Sequence, residues 1–307
     1  MQNPRRLHIY EMPLDFGASR HGSDMGPSAI RLAGLRPRLE AIGCAVERYA
    51  SPMPPKAQEA VEPGNPKAKY LPEIAAACAA LAGAVEESVS GGAFPLVLGG
   101  DHSVALGSLA GMGAWAEKSG AALGVLYIDA HGDFNTPETT PSGNIHGQCL
   151  AASCGLGLPQ LVNLHRPHRK VDPRNVCFLG TRDLDAGERD LMRGVGATVL
   201  SMSEIDRIGF PEALRRTVGF FRGRGVDAVH VSFDMDVLDP MFAPGTGIPL
   251  PAGLTNREAL LAMEEIAATG LVRSAEIVEV NPVLDVRNQT AQLAVALIAR
   301  LLGEKIW

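Results

Sequence analysis

The 307-residue sequence has no Cys-x-x-Cys pair, no apolar run long enough to cross a bilayer and no excess of basic residues. Its five cysteines, Cys44, Cys78, Cys149, Cys154 and Cys177, are odd in number and scattered. That spacing indicates neither a zinc knuckle nor a redox dithiol, and reads as small buried hydrophobes in a reducing compartment. After Met1-Gln2-Asn3-Pro4-Arg5-Arg6 no signal-like stretch follows. The chain is therefore expected to be soluble and cytoplasmic, without a membrane partner. Lys and Arg total 28 against 34 Asp and Glu, a net charge of -6. Nucleic-acid binding needs clustered cations and is not expected. The one basic run, His165, Arg166, His168, Arg169 and Lys170, reads as a solvated loop.

Apolar residues make up 46% of the chain, enough for the core of one large α/β domain over residues 1–307. Eight short apolar runs predict strands: Leu7–Tyr10, Ala45–Tyr49, Pro95–Leu98, Leu123–Ile128, Val176–Leu179, Thr198–Met202, Ala228–Phe233 and Ala275–Val280. Several are rich in Val and Ile with little alternation, as parallel strands covered on both faces are. Helical patterns lie between them, at Pro27–Arg31, Leu71–Ser90, Ser103–Lys118, Pro211–Arg222, Asn256–Ala268 and Gln289–Leu302. Strands alternating with helices imply a parallel sheet with helices on both faces. Ser51 to Pro72, rich in Pro, Lys and Glu, reads as a surface loop.

Three segments end predicted strands with polar residues: Gly99-Gly100-Asp101-His102-Ser103, Asp129-Ala130-His131-Gly132-Asp133 and Asp234-Met235-Asp236. Ligands of open α/β sheets bind outside the carboxyl ends of the strands. Residues i, i+2 and i+4 of an extended chain project to one side, so Asp129, His131 and Asp133 can converge, as can Asp234 and Asp236. Any one segment alone would read as a turn or a helix cap. Together they gather four carboxylates and two imidazoles, which repel unless two divalent cations neutralise them. Oxygen ligands with some imidazole and no thiolate suit Mn²⁺, while Co²⁺, Ni²⁺ and Zn²⁺ remain open. Such a pair generates a hydroxide at neutral pH and clamps the substrate that it attacks. Asp133 would bind one metal and pass a proton to a leaving amine.

These segments resemble those of the arginases, in the ureohydrolase family, and the bacterial members most. The likeness runs from about Gly17 onward. It includes Arg20-His21-Gly22-Ser23-Asp24-Met25-Gly26-Pro27, Thr136-Pro137-Glu138 through His146-Gly147, Arg182-Asp183-Leu184-Asp185-Ala186-Gly187-Glu188, Gly253-Leu254-Thr255-Asn256-Arg257-Glu258 and Glu279-Val280-Asn281-Pro282. It implies a three-layer α/β/α fold of the arginase/deacetylase kind with an eight-stranded parallel sheet. It also implies two Mn²⁺, one on His102, Asp129, Asp133 and Asp234 and the other on Asp129, His131, Asp234 and Asp236. The implied reaction is attack of a bridging hydroxide on the guanidinium carbon of L-arginine, releasing urea and L-ornithine, in a homo-oligomer of three or six chains.

The same resemblance implies roles that the residues alone would not suggest. His146, otherwise a surface-loop histidine, becomes a proton shuttle suited by its near-neutral pKa. Glu279, at the end of the last predicted strand, receives the guanidinium through paired hydrogen bonds, and Thr246 lies near it. Asn135, Ser142 and Asn144 receive the α-carboxylate; read alone, they would cap their own loop. Asp185 receives the α-ammonium, with Glu188 nearby. Val237 stands where arginases often have Gly and is expected to narrow the backbone approach. Competing readings are a relative acting on agmatine or guanidinobutyrate, and a catalytically silent metal-binding or assembly protein.

Overall fold

The computed structural model describes residues 5–52 and 61–307. All eight expected strands form, as β1 (Arg6–Met12), β2 (Ala45–Ala50), β3 (Phe94–Gly99), β4 (Leu123–Ile128), β5 (Val176–Leu179), β6 (Thr198–Leu200), β7 (Ala228–Asp234) and β8 (Val272–Val278). They make one sheet in the order β2-β1-β3-β8-β7-β4-β5-β6, and every pair is parallel. β3, β4, β5 and β7 are buried along their whole length, which accounts for their unbroken apolar runs.

The described residues also form α1 (Gly26–Leu32), α2 (Leu35–Ala41), α3 (Leu71–Ser90), α4 (Ala105–Ser119), α5 (Cys149–Ser153), α6 (Pro159–Val162), α7 (Ala186–Gly194), α8 (Met202–Ile208), α9 (Phe210–Arg224), α10 (Asn256–Ala268) and α11 (Gln289–Leu301). The side chains of each strand part to opposite faces. Leu96, Leu98, Leu126 and Ile128 pack with α1, α2 and α8 to α11. Val97, between two of them in sequence, packs with α3 to α6, while Val125 and Tyr127 pack with α4, α5 and α7. The result is the expected three-layer arrangement. Helices α3 and α4 approach closely through Gly107 and Gly111, where a Cβ would stand 2.7 Å from Cys78 O and 2.5 Å from Ala82 O.

The boundaries differ in informative ways. β6 stops at Leu200 because Ser201 caps α8 by accepting from Glu204 N, so the expected run to Met202 crosses a helix start. β8 begins at Val272 and ends at Val278, leaving Glu279 outside the strand at φ 63. Of the expected Ser51–Pro72 loop, residues 53–60 lie outside the described residues, 61–70 carry no helix or strand, and Leu71 and Pro72 already open α3. All five cysteines are buried and unbonded. The basic run is the expected exposed loop at His165, Arg166, His168 and Arg169 and departs from that reading only at Lys170. His165 and Arg166 pair with Glu86 and Arg169 pairs with Asp172. Lys170 is buried, and its ammonium donates to the carbonyls of Arg166 and His168. Desolvation lowers its pKa to about 8.

Gly100 shows how tightly the site's support is packed. Its N–H donates to Met12 O (2.9 Å), its carbonyl accepts from Glu279 N (2.8 Å), and a Cβ would lie 1.9 Å from Leu14 O. Gly100→Ala is expected to lower the unfolding free energy of the metal-free protein by about 1–3 kcal/mol, as overpacking does. Denaturant titration checks this, and an unchanged midpoint would refute the contact.

Candidate metal centre and active site

β3, β8, β7 and β4 are neighbours at the middle of the sheet, and the residues after each strand meet at its carboxyl edge. After β3, Asp101 caps the turn His102–Val104, accepting from Ser103 N (2.8 Å) and from Gly17 N (2.7 Å). Burial, with neighbouring Glu279, pushes its pKa to about 6. After β4, Asp129 Oδ1 accepts from His131 N (2.7 Å). The chain then turns through Asp133 at φ 49, so the residue placed last in an extended i, i+2, i+4 series sits instead in the left-handed region. A non-glycine residue is held there only when its surroundings over-determine it. After β7, Asp234 caps the turn Met235–Val237 by accepting from Asp236 N (2.8 Å).

Three carboxylate oxygens converge on one ring nitrogen. His102 Nδ1 lies 3.0 Å from Asp129 Oδ2, 3.1 Å from Asp133 Oδ2 and 3.0 Å from Asp234 Oδ2. A second group follows, with His131 Nδ1 3.4 Å from Asp129 Oδ1 and 3.1 Å from Asp236 Oδ2. Ligand atoms of His102, Asp129 and Asp133, and separately of Asp129, His131 and Asp236, lie close enough to share one ion each, so Asp129 belongs to both groups.

The far side of His102 decides what the near side can be. Its Nε2 is 2.8 Å from Ser232 Oγ, whose hydroxyl donates to Glu276 Oε1 (2.7 Å). A serine that donates to a carboxylate accepts from the imidazole, so Nε2 carries the proton and Nδ1 of the neutral ring presents a lone pair. A lone pair facing three carboxylates is repelled unless a proton or a cation stands between. Burial disfavours the imidazolium, but hydrogen bonds to Asp129, Asp133 and Asp234 outweigh it and hold the pKa well above its usual value. Asp234 is pushed up by burial and by Asp236 and Asp129. Asp129 Oδ2, fully buried, has no partner besides the His102 ring nitrogen that faces it. An orphaned carboxylate oxygen and a bare imidazole nitrogen aimed at one point fit a divalent cation.

Above this floor lies a cavity of about 140 Å³. Of the expected residues, His131, Asp133, Asn135, Ser142, His146, Asp185, Glu188, Asp234, Asp236 and Glu279 line it. Glu279 Oε1 accepts from His102 N (2.9 Å) and lies 3.3 Å from His146 Nδ1. Asn135 Nδ2 donates to Asp185 Oδ2 (2.9 Å). Two expected residues stand back from the lining. Asn144 is buried, its Nδ2 donating to Ser19 Oγ (2.8 Å). Thr246 is buried beside Val280, its hydroxyl without a protein partner. Glu188 both lines the cavity and supports it. Its two oxygens accept from Phe134 N (2.7 Å) and Asp185 N (3.2 Å), closing a capping box on α7. Burial raises its pKa to about 8.

A family model described as the arginase family matches residues 5–303. The chain is 46% identical over 300 residues to an arginase from Bacillus caldovelox, covering 98% of this chain and 99% of the relative. The crystal structure of that species' arginase superposes with a TM-score of 0.93 at 45% identity, covering 99% of this chain and all of the other. The crystal structure of arginase from Bacillus cereus gives 0.91 at 46%, with the same coverage. The chain belongs to the arginase family.

Val237, which departs from the arginase pattern, stands outside the pocket lining. It is fully buried in the core, and its Cγ2 lies 2.5 Å from where a Cβ of Gly180 would be. It does not narrow the pocket, because the turn Met235–Val237 carries it away from the lining. Several arginase-site residues escaped sequence reasoning. Ser232 and Glu276 are polar residues inside buried strands, a signal that was present. Ile248, partly exposed at the pocket, follows a Gly-rich turn that carries no such signal.

His146 sets a pH dependence. Burial opposes its charge, but the hydrogen bond and charge of Glu279, with Asp133 and Asp101 behind, raise its pKa from 6.5 to about 9. A folded-state pKa above the unfolded one contributes stability that is full below pH 6.5 and is lost as pH rises through about 9. Metal-free protein and His146→Asn should therefore differ in unfolding free energy at pH 6 and converge toward pH 10. A constant difference across that range would show that the pair does not form.

Proposed function

We propose that this chain hydrolyses L-arginine to L-ornithine and urea. The observation that carries the reading is the convergence of three carboxylates on the bare Nδ1 of His102, with Asp129 common to two metal-sized groups. His102, Asp129, Asp133 and Asp234 would hold one Mn²⁺, and Asp129, His131, Asp234 and Asp236 the other. When bound, such a pair supplies a nucleophile from water at neutral pH. The likeness to arginases along the whole chain supports arginine as substrate.

The protein's own groups divide the remaining work. Glu279 faces the cavity and receives the guanidinium, whose arrival displaces the His146 contact. His146, at the pocket wall, then carries protons between site and solvent. Tyr127 donates to Asp133 Oδ2, leaving Oδ1 to hold a proton for the leaving amine of ornithine. Asp185 receives the α-ammonium. Asn135 and Ser142 face the α-carboxylate, Asn144 steadies their loop from behind, and Thr246 lies beside Glu279 with its hydroxyl free. The reading extends to a cytoplasmic homo-oligomer, a trimer or hexamer. Exposed Met241, Val283 and Val286 support a partner surface, and sedimentation velocity reads its size.

Hydrolysis of agmatine is the competing reading, and one observation favours it. Both asparagine amides expected on the α-carboxylate already donate within the protein, to Asp185 and to Ser19. Each nitrogen keeps a second hydrogen, so arginine recognition survives that pairing. Urea release from arginine, agmatine and guanidinobutyrate with Mn²⁺ present separates the cases, and faster turnover of agmatine would sink the arginine assignment. A fully loaded protein inert on all three would instead be a silent binding protein. Asp185→Ala should lower kcat/KM for arginine by roughly 10- to 100-fold, the worth of a charged hydrogen bond of about 1.5–3 kcal/mol, with guanidinobutyrate, which has no ammonium at that position, little affected. Equal losses would make Asp185 a loop-shaping residue. Asp129→Ala should abolish activity and lower bound metal below one per chain by elemental analysis; retained activity would refute the shared-ligand role.

A further inference from the structure

Tyr127 is fully buried on β4, two residues before Asp129, so strand alternation turns both side chains to the same face. Its ring lies parallel to the His102 imidazole at 4.7 Å and 4°, and its other neighbour, Phe178, meets it edge-on at 5.6 Å. Its hydroxyl donates to Asp133 Oδ2 at 2.7 Å and stands 3.1 Å from His102 Nδ1.

Asp133 needs that support. Its backbone is in the left-handed region. The peptide is held by Leu150 N and Ala151 N on its carbonyl and by Glu188 on the next N–H, but these bonds leave the carboxylate free to rotate. Among the described residues, that carboxylate otherwise faces the His102 ring, itself in need of orientation, with Nδ1 3.1 Å away, and the Cys149 thiol, 3.9 Å away, a weak donor. The other metal-sized group is held differently. His131 N donates to Asp129 Oδ1 and Ala130 N to Asp236 Oδ1 (3.3 Å), while the Tyr127 hydroxyl's hydrogen-bond partners among the described residues are His102, Asp133 and Cys149.

We propose that Tyr127 is a positioning residue for one ion of the pair. Its ring fixes the plane of His102 and its hydroxyl fixes Asp133, so the ion shared by those two residues depends on Tyr127 while its neighbour does not. The inference rests on the metal-binding reading above and adds an asymmetry that the ligand set alone does not contain. Partners that orient metal ligands are worth about 10- to 100-fold in metal affinity.

The test is Mn²⁺ titration of the metal-free protein, following free ion by electron paramagnetic resonance. Tyr127→Phe keeps the stacked ring and removes only the hydroxyl. It should leave one Mn²⁺ bound as in the wild type and weaken the other by about 10- to 100-fold. Two sites of unchanged affinity, or both weakened alike, would overturn the proposal. Wild-type protein that binds no Mn²⁺ would instead overturn the metal-binding reading. A double-mutant cycle guards against a merely structural effect. On an Asp133→Ala background the hydroxyl has no carboxylate to orient, so Tyr127→Phe should change neither the remaining affinity nor the metal-free melting temperature further. An additional loss there would show that Tyr127 acts through general packing.

Discussion

Three carboxylates meeting at the bare nitrogen of His102 form the constraint around which the centre of this fold is arranged. Water cannot reach Asp129 or His102 to screen them, and unpaired charge in such surroundings costs several kcal/mol per group. Bound cations, as proposed above, would remove this repulsion and would tie together the chain segments at the ends of β3, β4 and β7.

That demand reaches into the sheet. Ser232 and Glu276 occupy adjacent strands β7 and β8, among buried apolar residues and a second polar pair, His230 and Ser274. Glu276 is kept ionised despite burial by the hydrogen bond and charge of His230, whose Nε2 lies 3.4 Å from its Oε1. A run of polar groups thus extends from His102 through the sheet interior, and its function is to set one tautomer. The left-handed backbones at Asp133 and Glu279 belong to the same logic. Both residues turn a carboxylate into the cavity at positions where a regular strand end would direct it elsewhere.

Most of the architecture was legible along the chain. Strands buried on both faces need unbroken apolar runs, and the eight runs correspond to the eight strands. Boundaries were less legible where local chemistry competes with hydrophobicity, as at Ser201, whose side chain caps a helix inside an apolar run. Short helices such as α5 and α6 have too few residues for periodicity to register. The convergence of His102, Asp129, His131, Asp133, Asp234 and Asp236 was foreseeable because carboxylates and imidazoles at strand ends have few structural uses. The capping role of Glu188 was not, because a glutamate three residues after Asp185 is equally a capping residue and a pocket wall, and only the hydrogen bonds to Phe134 and Asp185 show the first use.

The sequence by itself determined which chemical groups stand at the ends of which strands, since period-two alternation and apolar runs are local properties of the chain. It carried the sheet, the ligand types and, through family resemblance, the class of reaction. Strand order was settled only by the tertiary structure. β3 and β4 are consecutive along the chain yet are separated in the sheet by β8 and β7, and that insertion brings Glu279 and Asp234 between His102 and Asp129. Local pattern contains no information about such pairing, which depends on how long crossovers pack their helices on the two faces. The same holds for the Tyr127 hydroxyl and the Ser232–Glu276 relay. Each is an ordinary strand residue until folding places it within hydrogen-bonding distance of a group remote in the chain.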